Sequence, residues 1–110
     1  MKIVKVDPGE KAYSKEIDGS LASLQAEVGG LIEAVYPFSE SVALVCNEEG
    51  KLNGSEPNRA VFSEDGFLLD VIHGPFFICG IEGDSFSSLT QEQIEKYIDI
   101  FNDSFIFISE

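Results

Sequence analysis

The sequence predicts an α+β domain, a mostly antiparallel sheet with two helices packed on one face. Three observations carry that expectation. Short apolar runs bounded by Gly, Pro, Asn or Asp recur along the chain at strand spacing. Only two segments place their apolar residues on a helical stripe. The 110 residues make one domain, residues 1–110, and a chain of this size buries about 65% of its unfolded surface without staples.

The elements follow in order. "KIVKV" at the start alternates polar and β-branched residues and reads as a strand. "DPGEKAYSKEIDGS" has Pro8, Gly9 and Gly19 as breakers and reads as loop. Leu21, Leu24 and Val28 then form one stripe of a short helix, capped by Ser20 or Asp18 and ended by Gly29-Gly30. "LIEAVYPF" is a strand whose Pro37 marks its end or a sheet edge, and "SVALVC", nearly all apolar, is a central strand. After a long turn-rich loop, "AVF", "FLLDVI" and "FFICGI" suggest a hairpin or meander. Thr90 with Gln93 forms a capping box, and Leu89 is set to staple against Ile94. Ile94, Tyr97, Ile98 and Phe101 supply the apolar face of a second helix. "FIFIS" at 105–109 alternates and is expected to close the sheet as a last strand.

Composition narrows the function classes. Apolar residues make up 44%, with nine Phe, three Tyr and no Trp, and mean hydropathy is +0.06, so the chain folds despite its charge. Net charge is −13 and the isoelectric point about 4.2. That field opposes nucleic acid backbones and anionic membrane surfaces, so neither direct nucleic acid binding nor membrane association is expected. It steers basic partners inward, or simply keeps a small protein soluble. With neither a signal-peptide pattern nor a spanning run, the expected location is cytoplasmic.

Catalytic and metal chemistry find little support. Cys46 and Cys79 lie in apolar runs and read as reduced, buried strand thiols. His73 is the only His, no Cys/His ligand spacing is present, and no metal or cofactor is expected. His73 in "VIHGPFF" has no nucleophile motif beside it. Glu48-Glu49 and Glu64-Asp65 lack the register of a calcium loop, and "GIEGD" lacks that of a phosphate loop. A non-enzymatic protein is expected.

The loop "NEEGKLNGSEPNRAVFSEDG" stands apart. It holds the only Lys and the only Arg between Glu16 and Glu95, namely Lys51 and Arg59. Turn backbones of this kind expose N–H groups that bind anions, and Arg and Asn add directed donors. Asn47, Lys51, Asn53, Asn58 and Arg59, with His73 nearby, are the candidate ligand-binding residues for a small polar, nucleotide-like molecule. Two cations are thin provision for a multiply charged ligand, and a homo-oligomer sharing its sites would double them. In the competing reading, Arg59 pairs with a nearby Glu and pins the loop to the body.

"VGGLIEAV", "CNEEGKLNG", "PNRAV", "GPFFICG" and "SLTQEQIEKY" occur in that order, and together the chain resembles a small phage and mobile-element family, numbered 3846 in the domain-of-unknown-function series. Ser55 stands where that pattern leads one to expect Leu. The resemblance brings no activity with it. It implies a phage or mobile-element accessory protein, with counter-defence as one role, acting on an immune enzyme or on its nucleotide signal. It also keeps Asn58-Arg59 and the "NEEGKLNG" loop. Two functions are therefore weighed. One is a ligand-binding module using the 47–59 loop. The other is an acidic interaction module, in the strong form a DNA mimic, that occupies a basic surface of a host defence or regulatory protein.

Overall fold

The computed structural model describes residues 1–103, and the run 105–109 expected as a closing strand lies outside them. The element order is β1 (Lys2–Val6), β2 (Tyr13–Glu16), α1 (Leu21–Val28), β3 (Ile32–Val35), β4 (Val42–Asn47), β5 (Pro57–Phe62), β6 (Leu68–His73), β7 (Phe76–Glu82), β8 (Ser85–Ser87) and α2 (Gln91–Asp103). The α+β class holds, and every strand pair is antiparallel.

The main sheet runs β2-β1-β7-β4-β3, with β8 pairing to the far end of β7. Five of the seven residues of β7 are buried, as the middle strand requires. It pairs with β1 through Val6↔Phe76 and with β4 through Val45↔Phe77. β4 is interior, paired on both sides, but the middle position belongs to β7. β5 and β6 form a separate two-stranded sheet, so the expected hairpin stands and a meander into β7 does not.

Two expectations need correction. The helices pack on opposite faces rather than on one. Val4, Leu44, Phe76 and Ile78 join Ile94, Tyr97 and Phe101 of α2, while Ile3, Ala43, Val45, Phe77 and Cys79 join Leu24 and Val28 of α1. The reason is legible in β4 and β7. Their apolar runs are nearly continuous, so both faces need cover. Val61 and Ile72 of the β5–β6 hairpin share the α2 side. The second correction is β2, which falls in a segment expected to be loop. All four of its residues are exposed, so it has no apolar alternation, and pairing with β1 alone makes it a strand.

Local signals at the helix ends worked as expected. Ser20 accepts from the Ser23 N–H, and Gly29 closes α1 with φ of 78°. At α2 the capping box is reciprocal: the Thr90 N–H donates to Gln93 Oε1 at 2.9 Å, and the Gln93 N–H to Thr90 Oγ1 at 3.1 Å. Lys5, almost buried on β1, ties α1 to the sheet through Glu27 at 2.9 Å.

Candidate functional site

The loop between β4 and β5 is built by its own polar side chains. Asn47 Oδ1 accepts from the Glu49 N–H at 2.7 Å, while its Nδ2 donates to the Val28 carbonyl at 3.1 Å. Asn53 Oδ1 accepts from the Ser55 N–H at 3.0 Å and from its hydroxyl at 2.6 Å. The hydroxyl gives Ser55, where the resemblance suggested Leu, a polar role in the turn. Gly50 lets the loop lie down on β6: a Cβ there would stand 2.7 Å from the His73 carbonyl oxygen.

That fold-down leaves a cavity of about 280 Å³ between the loop, β3 and β6. Glu33, Asn47, Glu48, Lys51, Asp70 and His73 supply its polar wall. Lys51 Nζ meets Asp70 Oδ1 at 2.5 Å. Burial acts to raise the Asp70 pKa, but the bonds from Lys51 and the Val71 N–H outweigh it and hold the carboxyl below its ordinary range. His73 Nδ1 lies 3.0 Å from the Ser55 carbonyl. A carbonyl only accepts, so Nδ1 carries a proton and donates it there. Burial, with Glu33 and Asp70 nearby, pushes the Cys46 thiol on this wall up to about 11, so it is no nucleophile at neutral pH. Cys79, also free and buried, is pushed up to about 12 by burial.

Of the expected site residues, the structure brings Asn47, Lys51 and His73 to this cavity. Asn53 stays in its turn, off the wall. Asn58 and Arg59 are placed in the core, 2% and 0% exposed. Asn58 Nδ2 donates to the carbonyls of Val6 and Gly74, each at 2.9 Å. Arg59 Nε donates to the Phe101 carbonyl at 2.7 Å, Nη1 to Asn58 Oδ1 at 2.9 Å, and Nη2 to the Glu10 carbonyl. Burial lowers the Arg59 pKa. The geometry fits the pinning role for Arg59, with backbone carbonyls among its acceptors, rather than a contact on the cavity wall.

Charge within the cavity runs against an anion. Three carboxylates, Glu33, Glu48 and Asp70, face one ammonium, Lys51. The sequence reading also missed a surface. Phe67, Leu68 and Leu69 are 72%, 58% and 52% exposed on the hairpin, beside Phe62 at 46%. "FLLDV" breaks the alternation of a half-buried strand, and that was the available signal.

Among the described residues no group of three or more His, Cys, Asp or Glu side chains is placed to hold a metal ion. No described helix is long and apolar enough to cross a membrane. The family model for Domain of unknown function (DUF3846) matches residues 1–102. No curated protein and no solved structure matches the chain.

Proposed function

The chain belongs to the family of the domain of unknown function DUF3846, and from that premise we propose that it is a non-catalytic interaction module that occupies a basic surface of a partner protein. The observation that carries this reading is the exposed run Phe67, Leu68 and Leu69 on the β5–β6 hairpin. Large apolar side chains left exposed on both faces of one hairpin, beside polar residues, mark an interaction site. Each large side chain buried on docking contributes about 1.5–3 kcal/mol before association costs. Glu64, Asp65 and Asp70 lie in or beside the hairpin and give the patch an acidic rim, which steers a basic partner toward it. The resemblance to phage and mobile-element proteins supports a host defence or regulatory protein as the partner class.

The test is affinity capture from host lysate with the native chain and a Phe67→Ser/Leu69→Ser variant. Each is washed at about 0.1 M and about 1 M salt, where the Debye length falls from about 10 to 3 Å. A basic protein held by the native chain, released by salt and absent from the variant is the expected result. Equal capture by both chains sinks the reading.

A second reading, a small polar ligand in the cavity, is favoured by the convergence of Asn47, Lys51 and His73 there. Native mass spectrometry with a nucleotide panel decides it. A retained ligand that Lys51→Ala loses would support it, and an empty spectrum would remove it for that class.

A further inference from the structure

Resting on the interaction-module reading, we propose that the free edge of β3 and the hollows between β3 and β6 take an extended segment of the partner as an added strand. The segment runs antiparallel to β3, as every strand pair of the fold does, and is recognised by an apolar residue followed two positions later by a basic one.

The backbone supplies the first argument. β3 ends the main sheet, and no described strand pairs with its outer side. Pairing with β4 from Ile32↔Asn47 to Val35↔Leu44 uses the N–H and C=O of alternate residues, and the others point outward. An open edge of this kind is a template for another chain, and strand addition is an established mode of peptide recognition.

The side chains give the edge a code. Two hollows of about 280 and 300 Å³ adjoin, because Asp70 and Ile72 line both. Glu33 lines the first and Val35 the second. They are two positions apart on one strand, so they share a face about 6.8 Å apart. An antiparallel added strand therefore sets one side chain beside Val35 and the next on that face beside Glu33. Around Glu33 the wall carries Glu48 and Asp70. Asp70 is answered by Lys51, and neither Glu33 nor Glu48 is in an ion pair among the described residues. Around Val35 the wall is Tyr36, Pro37, Val61 and Leu69. Leu69 also belongs to the exposed hairpin run, so the groove continues the docking patch.

Charge selects the occupant. A second copy would bring −13 against −13, with its own acids beside Glu33. The opposite edge, β2, borders a hollow lined by Lys2 and Lys15 as well as Glu16, and has no comparable preference for a cation. A basic, extended segment fits the β3 edge and not the β2 edge.

The experiment uses three short fluorescein-labelled peptides in a valine/threonine background, read by anisotropy and by amide NMR shifts. The first places phenylalanine two positions before arginine. The second places the two side by side, on opposite faces of a strand. The third replaces the arginine with glutamate. The first should bind at least about tenfold tighter than the others, with shifts confined to β3 and β6, and Glu33→Lys should reverse the arginine–glutamate preference. Glu33 is exposed, so that variant keeps its fold, which its own spectrum checks. Equal binding of the three peptides, shifts at β2, or no binding at about 1 mM overturns the proposal. If the peptides fail while Phe67→Ser/Leu69→Ser still releases the partner, strand addition falls and the interaction module stands. If that variant also keeps the partner, both fall.

Discussion

A guanidinium without exposed surface sits among carbonyls from three parts of the chain, and its removal takes a donor from each. Arg59 joins the Glu10 segment, its own strand and the end of α2 at Phe101. Hydrogen bonds to a charged group contribute about 1.5–3 kcal/mol each, and orphaned buried acceptors add a penalty. Arg59→Ala should therefore lose about 3 kcal/mol or more, read as a lower urea midpoint. Arg59→Lys should recover little, because one ammonium cannot span the fork. A ligand contact would have left the midpoint unchanged. Gly50→Ala is the steric counterpart: a Cβ placed 2.7 Å from the His73 carbonyl forces the loop off β6. A loss of about 1–3 kcal/mol in thermal melting is expected. The sequence marked Asn47, Lys51 and His73 as noteworthy because turn residues and rare cations are local signals. It could not show that Asn58 and Arg59 are inside, since what buries them lies far off in sequence, as with Phe101 for Arg59 and Val6 for Asn58.

Elements announced by their own ends were the most legible. The α2 capping box needs only Thr90 and Gln93, so its geometry follows from four consecutive residues. Thr90→Ala should cost about 1 kcal/mol, visible in a denaturant titration. β2 was illegible because no side chain in it is buried, and its only cause is the register with β1. A contact between elements governs the acid limb of stability. Hydrogen bonds from Lys96, Tyr97 and Gln93 hold Glu40, in the β3–β4 connection, at about 2 against an ordinary 4.5. A lowered folded pKa stabilises fully above the unfolded value and loses that effect as pH falls through the folded one. The clamp is thus complete above about pH 4.5 and gone near 2. Allowing for partial exposure, it contributes about 1–2 kcal/mol. Glu40→Gln should melt lower than the native chain at pH 7, and the difference should close as pH falls from about 4.5 to 2.

For the whole molecule, the class was readable from run lengths and two helical stripes, but the layering was not. Placing both helices on one face treated the sheet as half-solvated, whereas the unbroken apolar runs of β4 and β7 already required cover on both sides. The exposed hairpin escaped notice for a related reason: an apolar run looks the same in sequence whether its fold covers it or leaves it in water. The strand order also sets a timetable. β1 and β4 do not pair with each other; both pair with β7, which is made later than either. During synthesis from the N-terminus, the β1–β2 and β3–β4 hairpins wait as separate, half-finished pieces until residues 76–82 emerge. A nascent chain arrested before residue 76 should be cut readily by protease, and one extended beyond residue 103 should resist. The joining strand comes late, so the interval in which unpaired apolar edges are open to a chaperone, or to a neighbouring chain, is written into the order of translation.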